Sequence, residues 1–447
     1  MDTKPSRAVH GPETTDAASP AVAAFAASPA VAAFAASPAV AAFAASPAVA
    51  VRAERERAPT SDGVLLGMRR YPRPGAPPVL LLHGLAQNLN GWDLPVEGHS
   101  LAQHLSLKGF DVWLGNFRGH GREPHRSGSG ARSARIDDFG VFDVPAFVQR
   151  IVRATGRAPF IVGHSMGGIA TLIHLIGAYS AEGERVCRDD DLAGARNAEL
   201  PGLVLVGTPP ALTWHKQLGP ASLLRGEYFE YNELFQLILG RKAVIGLLDR
   251  LPIRRFATRA VAESAEAGSR WPGPLRHLPD GLTRVVGHAV SEVLAHTLWN
   301  PRNMTSALVD AELKFTLDDV SRAVLRQFVD WIRHETAREY IVGGMGPPLV
   351  YADHLDRVVT PILWVAGELD RVAPPSVMRS HGLSRIKSPD RACLVLRGFG
   401  HNDLRMGKHA PTALFPAVER WLSDRAFVAN SSVIEGQAQS RRTKRSR

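Results

Sequence analysis

The sequence predicts an α/β fold in which helices cover both faces of a mostly parallel sheet. Short apolar runs rich in valine, leucine and isoleucine alternate along the chain with longer segments of helical character. Such runs are typical of strands buried on both faces, and their alternation with helices is typical of parallel sheets. Apolar residues make up 45% of the chain and charged residues 21%, which is ordinary for a globular protein.

The predicted sheet starts with a hairpin, because two extended runs flank the turn signal Asp62-Gly63. Continuously apolar strands are predicted at residues 79–82, 110–114, 160–162, 203–206, 362–365 and 392–396. Helices are predicted at residues 100–107, 141–152 and 410–422. Ligand sites in parallel sheets lie at the carboxyl ends of the strands, so we expect the functional residues in the loops that follow them.

A sharp turn around Ser165 carries the clearest functional signal. Strand 160–162 leads into the Gly-His-Ser-Met-Gly sequence at 163–167, and a helix-like segment begins near Ile169. Glycines at these two offsets let a strand and a helix approach so closely that the serine hydroxyl projects from the turn. The N–H of Met166 then lies at a helix N-terminus, where negative charge is favoured. We predict a nucleophile at Ser165 and half of an oxyanion hole at Met166, against the alternative of an ordinary turn.

A serine hydroxyl is a poor nucleophile at neutral pH, so this turn predicts a histidine base and a carboxylate that orients it. The chain order in sites of this kind is serine, acid, histidine. Asp370 and His401 each follow a predicted strand at its carboxyl end, and we predict them as the acid and the base. Glu368 and Asp403 are competing candidates for the acid, although Glu368 precedes the turn of its loop and Asp403 lies beside the base.

Three further residues near the predicted site have assigned roles. The loop after strand 79–82 begins His83-Gly84-Leu85. The N–H of Leu85 is predicted to be the second oxyanion donor, while the His83 ring braces the loop. His164 is the variable residue of the serine turn and is predicted to pack or to line the pocket.

The predicted core comprises residues 53–208 and 356–426. Residues 1–52 contain a nine-residue repeat, Ser-Pro-Ala-Val-Ala-Ala-Phe-Ala-Ala, and are predicted to form a flexible arm because the prolines break helices and alanine buries little surface. A signal peptide and a phenylalanine ladder that touches a membrane or polymer surface are the alternatives. Residues 427–447 are predicted to be a basic flexible tail.

A second addition to the core is the long segment at 209–355, which exceeds any simple strand-to-helix connection. It contains helix-like segments such as Tyr228–Leu239 and Ala323–Thr336. We predict a large helical cap that is inserted after the sixth core strand and overhangs the serine.

Composition excludes several other classes of protein. The net charge is +10, and five positive charges fall within the last seven residues without interleaved aromatics, so a nucleic-acid partner is not expected. Cys187 and Cys393 resemble neither a disulfide framework nor a metal site, and no metal or cofactor is predicted. The sequence contains no apolar run of eighteen residues, so no transmembrane helix is predicted. Without a clear signal or anchor, we expect a cytoplasmic protein.

Specific colinear runs in residues 79–176 resemble the α/β-hydrolase superfamily, and within it the acid lipase branch that includes gastric and lysosomal lipases. They are His83-Gly84-Leu85 with Trp92 nine positions after the histidine, Ser100-Leu101-Ala102 with the run 109–119, and Phe142-Asp143-Val144-Pro145-Ala146. Support around Asp370 and His401 is weaker. The elbow departs from the family, which often has glutamine where this chain has Met166.

The resemblance implies hydrolysis of carboxylic esters of lipid-like acyl groups through an acyl-enzyme on Ser165. His401 would be the acid/base, Asp370 its partner, and Leu85 and Met166 the oxyanion donors. The expected partner is a small, apolar ester. Two alternatives stay open: an acyltransferase that uses the same three residues, and a non-catalytic binding protein on the same fold.

Overall fold

The computed structural model describes residues 52–130, 133–180, 185–211, 298–341 and 346–426. Almost all of the predicted arm, the predicted helix Tyr228–Leu239 and the predicted tail at 427–447 lie outside these ranges. Within them, no helix is both long enough and apolar enough to cross a bilayer.

The described residues form an eight-stranded sheet. Its strands are β1 (Glu54–Pro59), β2 (Leu65–Tyr71), β3 (Pro78–Leu82), β4 (Asp111–Gly115), β5 (Phe160–His164), β8 (Leu203–Val206), β9 (Ile362–Gly367) and β10 (Arg391–Leu396). Their order across the sheet is β1-β2-β4-β3-β5-β8-β9-β10. β1 and β2 form the predicted antiparallel hairpin, β2 is antiparallel to β4, and every pair from β4 to β10 is parallel. The predicted strands and the mostly parallel sheet are therefore confirmed.

A small antiparallel pair lies outside the main sheet. It consists of β6 (Ala178–Tyr179) and β7 (Cys187–Arg188). The Cys187 and Cys393 thiols are exposed and not bonded to each other.

Helices follow the strands as the apolar pattern predicts. Their bounds are α1 (Leu101–Leu107), α2 (Val144–Thr155), α3 (Met166–Leu175), α4 (Asp190–Glu199), α5 (Ser306–Ala311), α6 (Arg322–His334) and α7, which is helical from 410 to 426. Ser100 caps α1 by accepting a hydrogen bond from Gln103 N–H at 3.0 Å. Two predicted starts were wrong. A π-helical turn, Phe139–Asp143, precedes α2, and α3 begins at Met166 rather than near Ile169.

Alternate residues of each central strand enter two different cores, because successive side chains point to opposite faces of a sheet. In β3, Leu80 and Leu82 join the core beneath α2, α3 and α6, whereas Val79 and Leu81 join the core beneath α1 and α7. Burial on both faces explains why the central strands are continuously apolar.

The segment between β8 and β9 is here called the insertion. Its described part packs on the loops at the carboxyl ends of the strands. Gln327 of α6 accepts a hydrogen bond from Ile136 N–H at 2.8 Å and donates to the buried Asp137 at 2.5 Å. Tyr351 donates to the same carboxylate at 2.6 Å. The predicted helix Ala323–Thr336 corresponds to α6, but most of the predicted cap lies outside the described residues.

Candidate active site

The turn between β5 and α3 holds Ser165 in a strained conformation. Its φ of +50° and ψ of −116° lie outside the regions that a non-glycine residue ordinarily adopts. Ser165 N–H donates to Val206 O at 2.9 Å, which ties the turn to β8. A Cβ on Gly163 would lie 2.7 Å from Gly168 N, and one on Gly167 would lie 2.8 Å from a carbonyl oxygen of β3. Glycine is therefore required at both positions for the close approach that the sequence indicates.

The structure brings Ser165, His401 and Asp370 together in one hydrogen-bonded chain. His401 Nε2 lies 3.0 Å from Ser165 Oγ, and His401 Nδ1 lies 2.9 Å from Asp370 Oδ2. All three side chains are buried. The arrangement allows Nε2 to accept the serine proton while Nδ1–H donates to the carboxylate.

The Asp370 carboxylate is oriented by its own loop. Its Oδ1 accepts hydrogen bonds from Val372 N–H at 2.9 Å and Ala373 N–H at 2.8 Å, which leaves Oδ2 for the histidine. The competing candidate Glu368 points elsewhere, since its Oε2 accepts from Gly398 N–H at 3.0 Å.

The other competing acid, Asp403, holds the loop that carries the histidine. Its carboxylate accepts from Gly400 N–H at 2.9 Å, Asn300 N–H at 3.1 Å and Asn303 Nδ2 at 2.8 Å. Asn300 and Asn303 belong to the insertion. The insertion thus supports the position of His401 from outside the sheet.

The two predicted oxyanion donors lie on neighbouring segments. Met166 is the first residue of α3, where an N–H has no acceptor within the helix. Leu85 is half-buried in the loop after β3. Beside it, His83 Nε2 accepts from Phe117 N–H at 3.2 Å, so the ring carries its proton on Nδ1, which donates to Gly84 O at 2.9 Å.

Burial lowers the pKa of His83 well below its ordinary value, and the nearby His120 adds to this effect. The ring is therefore neutral, as its acceptor role at Nε2 requires. This contact is the bracing of the loop that the sequence predicts for His83.

His164 packs behind the base. Its Nε2 lies 3.3 Å from His401 O, and the centroids of the two rings are 5.0 Å apart. Burial, and secondarily the proximity of His401, lowers the pKa of His164 well below its ordinary value. The predicted packing role agrees with these contacts.

A buried ion pair near the site has no counterpart in the sequence prediction. Arg405, after the His401 loop, donates to the carboxylate of Glu312 in the insertion and also to Gly91 O at 2.7 Å. Both side chains are almost completely buried. Both residues lie in short helical turns, Asp403–Met406 and Glu312–Thr316, which are too short to show a periodic pattern, so no signal in the sequence pairs them.

The part of the chain that the structure describes contains no group of three histidine, cysteine or acidic side chains that could hold a metal ion.

Comparisons with known proteins show which proteins this chain is similar to. The sequence profile of the alpha/beta hydrolase fold matches residues 77–174. Lipase 1 of Drosophila melanogaster is 35% identical over 114 residues, which cover 24% of this chain and 26% of that protein. Lipase 3 of Drosophila melanogaster is 31% identical over 233 residues, which cover 48% of this chain and 52% of that protein.

A third relative is the lysosomal acid lipase/cholesteryl ester hydrolase of Rattus norvegicus, which is 32% identical over 124 residues. The match covers 24% of this chain and 31% of that protein. The chain therefore aligns with between about a quarter and a half of the length of these relatives.

The sheet order, the strand–turn–helix around Ser165 and the profile match define an α/β-hydrolase fold. Within that fold, the chain resembles the acid lipases.

Proposed function

We propose that this protein is a serine hydrolase that cleaves carboxylic esters of lipid-like or other apolar acyl groups. The observation that carries the proposal is the buried chain of hydrogen bonds from Ser165 through His401 to Asp370, with contacts of 3.0 and 2.9 Å. The names of the relatives, which are lipases, support the choice of substrate class.

Acylation follows from this arrangement. Ser165 Oγ attacks the carbonyl carbon of the ester while His401 Nε2 takes the hydroxyl proton. Asp370 stabilises the imidazolium through Nδ1–H, and its geometry is fixed in advance by two backbone N–H groups. The tetrahedral intermediate then collapses, the bond to the leaving oxygen breaks, and that oxygen takes the proton from His401. The acyl group is now esterified to Ser165.

Negative charge develops on the former carbonyl oxygen in both tetrahedral intermediates. In the proposed site this oxygen accepts hydrogen bonds from Leu85 N–H and Met166 N–H, and the N-terminus of α3 adds a favourable dipole. Deacylation repeats the sequence with water as the nucleophile, and His401 accepts its proton. The free acid leaves, and Ser165 regains its proton.

Hydrolysis of p-nitrophenyl esters of graded acyl length tests the proposal. We expect turnover by the intact protein and a loss of at least about a thousandfold in Ser165→Ala, because the nucleophile and its base act as a unit. Ser106→Ala is the matched control. The Ser106 hydroxyl is buried on α1, away from the site, and has no hydrogen-bond partner among the residues that the structure describes, so this variant should match the wild type.

Two results would contradict the proposal. Equal turnover in Ser165→Ala would exclude Ser165 as the nucleophile. Product release that requires an added alcohol acceptor, with no hydrolysis in its absence, would identify an acyltransferase instead.

A further inference from the structure

The peptide that joins Gly84 to Leu85 is held by the preceding side chain. His83 Nδ1–H donates to the carbonyl oxygen of Gly84 at 2.9 Å. Because a trans peptide is planar, fixing its carbonyl oxygen also fixes its N–H, which points the opposite way. The direction of the Leu85 N–H therefore depends on how firmly the polar groups of Gly84 are held.

A second side chain holds the other polar group of Gly84. The amide oxygen Oε1 of the buried Gln87 lies 3.2 Å from Gly84 N and accepts its hydrogen bond. This contact closes a tight turn through Ala86, whose φ of +56° lies in the left-handed region. A Cβ on Gly84 would come within 3.0 Å of Gln87 Oε1, so the amide packs directly against the loop.

The amide nitrogen of Gln87 extends to two other parts of the site. It donates to Glu312 Oε1 at 3.2 Å and lies 3.4 Å from Asn402 Oδ1. Asn402 directly follows His401, and Glu312 belongs to the insertion. One buried amide thus links the loop of the proposed oxyanion donor to the loop of the proposed base.

The insertion adds a further contact to the same turn. Asp318 N–H donates to the carbonyl oxygen of Ala86 at 2.9 Å, immediately before Gln87. The turn is therefore held from both sides, by a side chain of its own and by the backbone of the insertion.

A carboxamide meets both requirements at position 87. Gly84 N–H needs an acceptor, and the Glu312 carboxylate, to which Arg405 also donates, accepts a second hydrogen bond from position 87. An ionised carboxylate at position 87 would repel Glu312, and an apolar side chain would leave the buried Gly84 N–H without a partner.

We propose that Gln87 is a positioning residue for the oxyanion hole: its side-chain amide fixes the Gly84–Leu85 turn so that Leu85 N–H is aimed at the developing oxyanion. This inference rests on the proposed function and deepens it. Gln87 touches no reacting atom and acts through the backbone of Gly84.

The test compares Gln87→Met and Gln87→Glu with the wild type. Methionine keeps the length of the side chain and removes both hydrogen-bonding groups. A protonated glutamic acid offers an acceptor to Gly84 N–H and an O–H donor to Glu312, so Gln87→Glu can restore the pattern. Gln327→Met is the matched control, because Gln327 is equally buried and hydrogen-bonded but bonds to the Ile136–Asp137 turn instead.

Two quantities are measured on each variant. The first is kcat/KM on a p-nitrophenyl ester. The second is the inhibition constant of a trifluoromethyl ketone, whose carbonyl carbon is attacked by Ser165 Oγ to give a stable tetrahedral oxyanion, while the serine proton passes to His401. Binding of the ketone reports the oxyanion hole, because the inhibitor mimics the charged intermediate.

For Gln87→Met we expect kcat/KM to fall about 10- to 100-fold, less than the loss of an oxyanion donor itself, with a parallel weakening of ketone binding. For Gln87→Glu, kcat/KM and ketone affinity are each compared with the wild type at the same pH. Both should approach the wild-type values as the pH is lowered, because the new carboxyl becomes protonated. In Gln327→Met, ketone affinity should stay within about twofold of the wild type, even if the fold is less stable.

The inference is overturned if folded Gln87→Met binds the ketone as tightly as the wild type, or if Gln327→Met weakens ketone binding equally. An inert wild type would instead overturn the proposed function and this inference with it. An active wild type with an unaffected Gln87→Met overturns the inference alone.

Discussion

The fully buried guanidinium of Arg405 donates to the buried carboxylate of Glu312, and so joins the helical turn after His401 to the insertion. Removing one partner of such a pair leaves an uncompensated buried charge. We expect Arg405→Met to lower the free energy of unfolding by about 3–5 kcal/mol, measured by urea denaturation.

The double variant Arg405→Met/Glu312→Gln is the control for this prediction. It removes both charges, and the new amide keeps an oxygen that can accept from Gln87. It should recover much of the lost stability. A double variant whose loss equals the sum of the two single losses would show that the two charges are not coupled.

Replacing Asp370 with asparagine tests the choice of acid. We expect kcat to fall by about 10³- to 10⁴-fold, because the amide can no longer stabilise the imidazolium or select the histidine tautomer. Turnover of a chromogenic ester provides the measurement. Glu368→Gln is the control and should retain wild-type kcat, since Glu368 contacts Gly398 rather than His401. A larger loss in Glu368→Gln than in Asp370→Asn would reverse the assignment.

The surroundings of Gly163 and Gly194 predict opposite effects for alanine substitutions at these two positions. Gly163→Ala places a Cβ 2.7 Å from a backbone nitrogen of α3, so we expect a loss of ester hydrolysis together with lower stability. Gly194 lies within α4, and a Cβ there would meet no atom of the described part of the chain within 4 Å, so Gly194→Ala should stabilise the fold by about 0.5–1 kcal/mol.

Chemical denaturation and ester turnover measured on both alanine variants check this contrast. Wild-type turnover in Gly163→Ala would mean that the strand and the helix need not approach so closely.

Asp137 predicts a pH dependence of stability. Burial raises the pKa of its carboxyl to about 6, against the opposing effects of Arg135 and of its hydrogen-bond donors. Because this value exceeds that of the unfolded chain, the folded state binds more protons between about pH 4 and 6. The contribution of Asp137 to stability is therefore fully present below about pH 4 and is lost as the pH rises through 6.

The comparison with Asp137→Asn isolates this contribution. The stability of the wild type relative to the variant should decrease by about 2 kcal/mol from pH 4 to pH 7. Urea denaturation across that range measures it. A difference that is constant with pH would contradict the raised pKa.

Much of the sheet and the positions of Ser165, Asp370 and His401 at the ends of its strands could be predicted from the sequence. Apolar runs report burial on both faces, and parallel strands bring their following loops to one edge. Helix starts were less predictable, since the π-helical turn Phe139–Asp143 and α2 share one apolar pattern.

The polar contacts around the site could not be predicted in the same way. Gln87, Glu312 and Arg405 lie in three distant segments, and each is an ordinary polar residue in its local sequence. Their partners are fixed by the tertiary structure, which no local periodicity reports.

The distance along the chain between Ser165 and its histidine, 236 residues, has a consequence for synthesis. A growing polypeptide that has not yet added β9 and β10 has the serine turn but neither Asp370 nor His401. Domains fold as units as they emerge from the ribosome. If the proposed mechanism holds, a polypeptide that stops before β9 has the nucleophile but lacks its acid and its base, and we expect no ester hydrolysis from it.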